Sequence, residues 1–404
     1  MAFPGGRAWR LLESPAVATP ADPRPRTPLR PGGRGDGAAP TPLAGRVGRF
    51  LLVVGLLYLF FLGLDLMGVA FKLFGKGFAE RLLAGTSDPF VGLFVGILAT
   101  SLVQSSSTTT SMTVALVGAG AISLEGAIPI IMGANIGTSV TNTLVSLGHV
   151  TRREEFRRAF AGATLHDFFN LLTVAILFPL ELATGFLART ASAAERLLEG
   201  TGGVELFDPL KAVVRPVAEL IADATGGSGW LTLAAGVVAL FLALKLLVDV
   251  LKKLLSSRAE SLLDQTILRS PIAGVAAGFA ITVMVQSSSI TTSVMIPLVG
   301  AGVVTLEQLF PLTIGANLGT TVTAMLAALA TGNATAISVA LSHVLFNVTG
   351  AVVLYPLPWV RRVPLALARW LGAVASRRRW LAFLYVAVVF FGIPLLLLLT
   401  VGRF

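Results

Sequence analysis

The chain has 404 residues, 54% hydrophobic and only 13% charged, with 31 Lys and Arg against 21 Asp and Glu, three His and no Cys. Soluble globular domains are roughly a quarter charged, so this composition, with a mean hydropathy of +0.82, excludes one and describes an all-α polytopic membrane protein. The lack of cysteine excludes a disulfide framework, and no His or Glu cluster lies in an apolar run, so zinc, iron–sulfur and haem cofactors are excluded too.

Residues 1–43 are rich in Pro, Gly and Arg and hold too few large apolar groups to offset the entropy of ordering. They are expected to form a disordered cytoplasmic tail. No apolar core of signal-peptide length precedes Leu51, and the block 50–71 is long enough to remain as a membrane helix.

A different pattern follows. A short apolar arm, 91–103, leads into Gln104-Ser105-Ser106-Ser107-Thr108-Thr109-Thr110-Ser111, and a second arm, 112–117, is closed by Gly118-Ala119-Gly120. Neither arm spans a bilayer alone, and so many polar side chains cannot face lipid, where each unsatisfied group costs several kcal/mol. The spacing predicts a re-entrant helical hairpin whose unwound tip lines a polar cavity. The N-terminus of the second half-helix presents free N–H groups and about +0.5 charge, which attracts an anion. Hydroxyls donate to phosphate or carboxylate oxygens and also coordinate sodium. The competing reading is that these are packing residues, whose interhelical bonds contribute under about 1 kcal/mol each.

Next comes Gly133-Ala134-Asn135-Ile136-Gly137-Thr138 in the middle of an apolar stretch. Glycines permit a helix break there. Freed carbonyls with Asn135, Thr138 and Thr141 would make an oxygen-only shell suited to sodium, while the glycines alone fit a close helix crossing equally well. In 159–182, His166-Asp167 places ionisable groups inside an apolar helix, where each is informative. Asp167 either binds a cation or is structural, paired with His166 or an Asn.

The second half repeats the first. At an offset of 182, residues 89–141 align with 271–323 without a gap, with 27 identities in 53 positions. Gln286-Ser287-Ser288-Ser289 repeats the first tip, Thr291 and Thr292 repeat Thr109 and Thr110, and Gly315-Ala316-Asn317 with Thr320 and Thr323 repeats the broken-helix element. His343 and Asn347 follow as counterparts of His166 and Asn170, but Val344 stands opposite Asp167. The chain is therefore read as repeat unit 1 (47–188), a connecting loop (189–228) and repeat unit 2 (229–357). An interfacial helix and a further membrane helix then occupy 358–404. Such duplication points to a transporter with its site at the repeat interface.

Other charges have bland readings. Glu125 and Glu307 lie in first helical turns, with Thr305 and Gln308 spaced as a capping box. Lys245 and Asp249, at i and i+4, can neutralise each other. Asp65 is placed near a helix end, reaching the interface.

The net charge of +10 sits in short clusters between apolar runs, so it reads as a topology signal and not as a nucleic-acid surface. The tail with Arg46 and Arg49, Arg152 to Arg158, Lys252 to Arg258, and Arg361 with Arg362 all fall inside under one assignment. Each unit then crosses three times (47–71, 124–147 and 159–182; 229–251, 306–330 and 336–356). Three is odd, so the second unit is inverted. No Arg or Lys falls in either hairpin or either Asn-containing helix, so a bound anion must be neutralised by helix N-termini and co-bound cations.

The duplicated Gln-Ser-Ser-Ser, with Gly137-Thr138-Ser139-Val140-Thr141-Asn142-Thr143 and the run Glu155 to Thr164, resembles the type II sodium-dependent phosphate cotransporter family over residues 47–357. The resemblance implies sodium-driven uptake of inorganic phosphate, mainly divalent, across a bacterial inner membrane, with no cofactor beyond sodium. It implies a phosphate site at Gln104, Ser105, Ser106, Ser107, Gln286, Ser287, Ser288 and Ser289, and a sodium site at Gln286, Ser287, Thr320 and Thr323. Ala161-Gly162-Ala163-Thr164-Leu165-His166-Asp167 resembles the family's electrogenic pattern, which implies three sodium ions per phosphate with Asp167 holding the extra one. Sodium ligation is further expected from Asn135, Asn317, Thr138, Thr141, Thr109, Thr110, Thr291 and Thr292. Ala316 departs from the serine expected there, and 189–228 replaces a cysteine-containing glycosylated loop. The rival readings are a sodium-coupled carboxylate carrier, which also uses paired Ser-rich hairpins, and an intramembrane hydrolase, which duplicated serines and histidines argue against.

Overall fold

The computed structural model describes residues 43–75, 77, 85, 87–199, 208–262 and 270–401. The tail expected at 1–43 lies outside these except for Leu43. From Gly48 onward the chain forms one unit, and no strand occurs among the described residues.

The first repeat comprises α1 (Leu43–Phe74), the hairpin arms α2 (Pro89–Val103) and α3 (Ser106–Gly118), then α4 (Leu124–Gly137), α5 (Val140–Leu147) and α6 (Arg153–Thr184). After α7 (Phe186–Glu199) and α8 (Asp208–Ala224), the second repeat supplies α9 (Gly229–Leu262), α10 (Pro271–Val285), α11 (Ser288–Ser293), α12 (Met295–Ala301), α13 (Leu306–Thr331) and α14 (Ala334–Leu354). The chain ends with α15 (Pro358–Arg377), α16 (Trp380–Val386), a π-helical turn (Ala387–Gly392) and α17 (Ile393–Val401).

Seven helices among the described residues are long and apolar enough to cross a membrane: three in each repeat, and Trp380–Thr400. The hairpin arms are not among them. At ~1.5 Å per residue, a 15-residue arm covers only about 22 Å. Local chemistry sets their starts. Asp88 caps α2 by accepting from the Phe90 N–H at 2.8 Å, with Pro89 at the first helical position, and Ser270 with Pro271 repeats this at α10. Thr305 and Gln308 form the expected capping box at the start of α13.

The second crossing of each repeat is the most enclosed, with 78% of the α4–α5 window and 72% of the α13 window buried, so these helices form the centre. Each clasps its own hairpin through reciprocal glycines. A Cβ on Gly133 would lie 2.0 Å from the Leu93 carbonyl, and one on Gly96 2.1 Å from that of Ile130; Gly315 and Gly278 stand equally close to Val275 and Leu312. These glycines are required by close helix crossing, which resolves that choice in favour of packing.

The repeats exchange contacts at their ends. Gly118, at the base of the first hairpin, meets Thr331 and the amide of Asn333 in the α13–α14 turn. Gly300, at the base of the second, accepts from the Arg158 guanidinium at 2.8 Å and lies against His149 in the α5–α6 connection.

Four expectations need correction. A broken helix was expected in each repeat, but only the first has one: α4 and α5 separate at Thr138-Ser139, whereas α13 runs on to Thr331. In the first repeat the Ser289 hydroxyl donates to the Thr138 carbonyl at 3.2 Å, taking an acceptor from the helical ladder. The second repeat instead interrupts its hairpin arm at Val294, because Pro297, which replaces Ala115, has no N–H for the Ser293 carbonyl.

The connecting stretch is not a loop. It contains most of α7 and all of α8, and Val214, Ala218 and Ala222, spaced at four, bury one face of α8. Asp65 does not simply reach an interface: its Oδ1 pairs with Arg215 of α8 at 3.3 Å. Lys245 and Asp249 are both exposed and form no ion pair among the described residues.

Candidate functional site

The two hairpin tips are built alike. Gln104 (φ 58°) and Gln286 (φ 56°) are the only described non-glycine residues with positive φ, each closing the first arm in the left-handed conformation. Ser105 and Ser287 then take extended backbone and cap the second arm, their hydroxyls accepting from the N–H groups of Thr108 and Ile290. The tip is thus two unwound residues between helices, and the first N–H groups of α3 and α11 have no carbonyl within their own helix to pair with.

Each glutamine fixes its tip in the same way. The Gln104 amide nitrogen donates to the Ser101 carbonyl at 2.5 Å while its Oε1 accepts from Thr141 at 2.9 Å. Gln286 donates to the Val283 carbonyl at 2.6 Å and accepts from Thr323 at 2.6 Å. Gln104 is thus joined to Thr141, and Gln286 to Thr323. The tips then meet each other, the Ser107 hydroxyl donating to the Gln286 carbonyl at 3.2 Å.

Other candidates sit deeper along the helices. Thr109, Thr110, Thr138 and Thr320 are buried and donate to carbonyls three or four residues back on the same chain, at 3.2, 3.2, 2.9 and 3.2 Å. Thr291 also accepts from Thr282 at 2.8 Å. The Thr100 hydroxyl, at the position equivalent to Thr282, is buried without a partner. Thr292 is held by Asn142, which also accepts from Ser293 at 2.7 Å.

The side chains of the two asparagines meet the third crossing of each repeat. Asn317 Oδ1 lies 2.6 Å from His166 Nε2, and its nitrogen donates to Asn170 Oδ1 at 2.8 Å. Because that nitrogen is the donor to Asn170, Oδ1 accepts and His166 carries its proton on Nε2. In exchange, Asn135 Oδ1 faces His343 Nε2 at 3.4 Å and the Asn347 amide at 3.5 Å. The histidine of each repeat therefore meets the asparagine of the other, the reciprocity expected of two units about a two-fold axis. Neither histidine meets a serine in these bonds, so no activated nucleophile is formed by them.

Asp167 is fully buried. Its Oδ2 accepts from the Tyr385 hydroxyl at 2.8 Å, its Oδ1 has no protein partner, and Ser139 lies beside it. It does not pair with His166 or an asparagine. Asn142 and Tyr385 were missed from the sequence. Asn142 has Ala324 as its counterpart, so duplication did not mark it, and Tyr385 lies outside the repeats with no motif around it.

A family model described as Na+/Pi-cotransporter matches residues 59–200 and 239–356. Among curated proteins, the chain is 35% identical over 446 residues to sodium-dependent phosphate transport protein 2B of Homo sapiens, covering 86% of this chain and 64% of that protein. It is 38% identical over 423 residues to sodium-dependent phosphate transport protein 2A of Mus musculus, covering 85% and 66%. The chain thus spans just under two thirds of the length of these relatives. No solved structure matches it.

Proposed function

This chain belongs to the Na+/Pi-cotransporter family, and from that premise we propose that it is a secondary active transporter carrying inorganic phosphate, as the divalent anion, into the cell with sodium. The observation that carries this reading is the meeting of the two Gln-Ser-Ser-Ser tips, Ser107 against the Gln286 carbonyl. Two helix N-termini with their serine hydroxyls then converge on one anion, held by Gln104 to Ser107 and Gln286 to Ser289. Since neither hairpin contains Arg or Lys, the remaining charge is balanced by sodium, and the anion moves only with cations.

Sodium is assigned to Gln286 and Thr323, which are hydrogen-bonded at the second tip, with Ser287 and Thr320, and to Thr138 and Thr141 in the first repeat. The hydroxyls of Thr109, Thr110, Thr291 and Thr292 are assigned to sodium as well. Asp167, with its free Oδ1, takes the third ion and makes the cycle electrogenic. Asn135 and Asn317 are assigned a scaffold role, because their amide oxygens face histidines.

The repeats are read as inverted in a plasma membrane with the N-terminus inside. The base of each hairpin touching the inter-helix turn of the other repeat supports this. The test is uptake of radiolabelled phosphate by cells expressing the chain, in sodium and with sodium replaced by choline. Sodium-dependent uptake untouched by excess succinate is expected; competition by succinate would favour the carboxylate carrier.

A further inference from the structure

Asp167 is gripped from outside the repeats. Tyr385 belongs to the terminal span, beyond the residues that match the family model, yet its hydroxyl is the hydrogen-bond donor to Asp167 Oδ2. Its ring is set edge-on between Phe160 of α6, at 6.2 Å, and Phe390, at 5.9 Å. Phe390 is fully buried in the π-helical turn Ala387–Gly392, a widened helix geometry that recurs at functional positions.

We propose that Tyr385 is a positioning residue for the carboxylate of Asp167: it holds Oδ2, leaves Oδ1 for sodium, and competes with the ion for the carboxylate's charge. This rests on the reading that Asp167 takes sodium. A buried carboxylate lacking a counter-ion is costly, and a phenol O–H offsets part of that cost. Once sodium is bound, the carboxylate gains less from the phenol. The hydrogen bond therefore favours the sodium-free form and keeps the ion releasable. The terminal span thereby becomes part of the ion site and not merely a lipid-facing addition.

The experiment compares wild type, Tyr385→Phe and Asp167→Asn, purified and reconstituted. Tyr385→Phe keeps the ring between its two neighbours and removes only the hydroxyl. Its sodium concentration for half-maximal phosphate uptake should fall, by up to about tenfold, the limit in which sodium binding cancels the whole of one hydrogen bond to a charged group. Maximal uptake should fall as well, because the ion leaves more slowly. Sodium-dependent thermal stabilisation in detergent should shift to lower sodium by the same factor, a readout that survives loss of transport.

An unchanged or raised half-activating concentration in Tyr385→Phe, with Asp167→Asn insensitive to membrane potential, would overturn the role of Tyr385 and leave Asp167 as a sodium ligand. An Asp167→Asn protein as potential-sensitive as wild type would overturn the reading of Asp167 and the proposal with it.

Discussion

Gln104 and Gln286 do two things at once, and substitution can separate them. Their backbones occupy the left-handed region that favours glycine, while their side chains tie the tip to Thr141 and Thr323. Glycine keeps the backbone and removes the amide. Gln286→Gly is therefore expected to fold normally, by yield and thermal midpoint in detergent, yet to lose at least about tenfold in phosphate uptake, in line with losing two hydrogen bonds of ~1 kcal/mol each. Near-normal uptake would mean that only the conformation matters. At Asp167 the readout is electrical: an extra charge crossing 100 mV contributes about 2.3 kcal/mol per cycle. Asp167→Gly should retain weaker uptake that no longer responds to an imposed potassium–valinomycin potential, whereas wild type responds. Much of this was readable from residues alone, because duplication marked both tips and their threonines. Duplication did not reveal that the asparagines face histidines, since a repeated position says that a residue matters to both units and not what it touches. Asn142 and Tyr385 are single, so duplication did not mark them.

Among the elements, the helix crossings make the sharpest quantitative claim. A methyl group on Gly133 or Gly315 would sit 2.0 Å from a backbone carbonyl that cannot move away without separating the helices. Overpacking of this kind costs about 1–3 kcal/mol or more. Gly315→Ala should lower the thermal midpoint in detergent by several degrees, while Gly55→Ala, where a Cβ meets nothing within 4 Å, should leave it unchanged. Equal midpoints would remove the glycines from the crossing. The crossing helices themselves were predicted to within a few residues, because long apolar runs and the Thr305 cap bound them. The first break was predicted at the Gly133 to Thr138 element and falls at Thr138-Ser139, where Ser289 takes the Thr138 carbonyl; the unbroken α13 was not, because it depends on contacts between distant segments, Ala324 in place of Asn142 leaving α13 without the partner that Asn142 finds in Thr292 and Ser293. The α8 helix had a readable stripe, Val214-Ala218-Ala222, that the Gly-rich stretch around 200–203 obscured.

For the whole molecule, inversion can be tested at two equivalent turns. Thr151 in the α5–α6 connection and Thr335 at the start of α14 are both exposed. Single cysteines at these positions, in a chain with no native cysteine, should be labelled by an impermeant maleimide from opposite faces, position 151 from inside and 335 from outside. Labelling from one face would mean parallel repeats. Inversion would bring the two tips to one site from opposite sides, the site at which the proposed cycle couples sodium to phosphate. The most direct measurement of the coupling is phosphate uptake by the purified chain in proteoliposomes, with an inward sodium gradient as the only driving force. Phosphate should accumulate above its external concentration and leak back when the gradient is collapsed with a sodium ionophore. Accumulation that is the same with a potassium gradient, or that never exceeds equilibration, would contradict sodium-coupled transport by this chain.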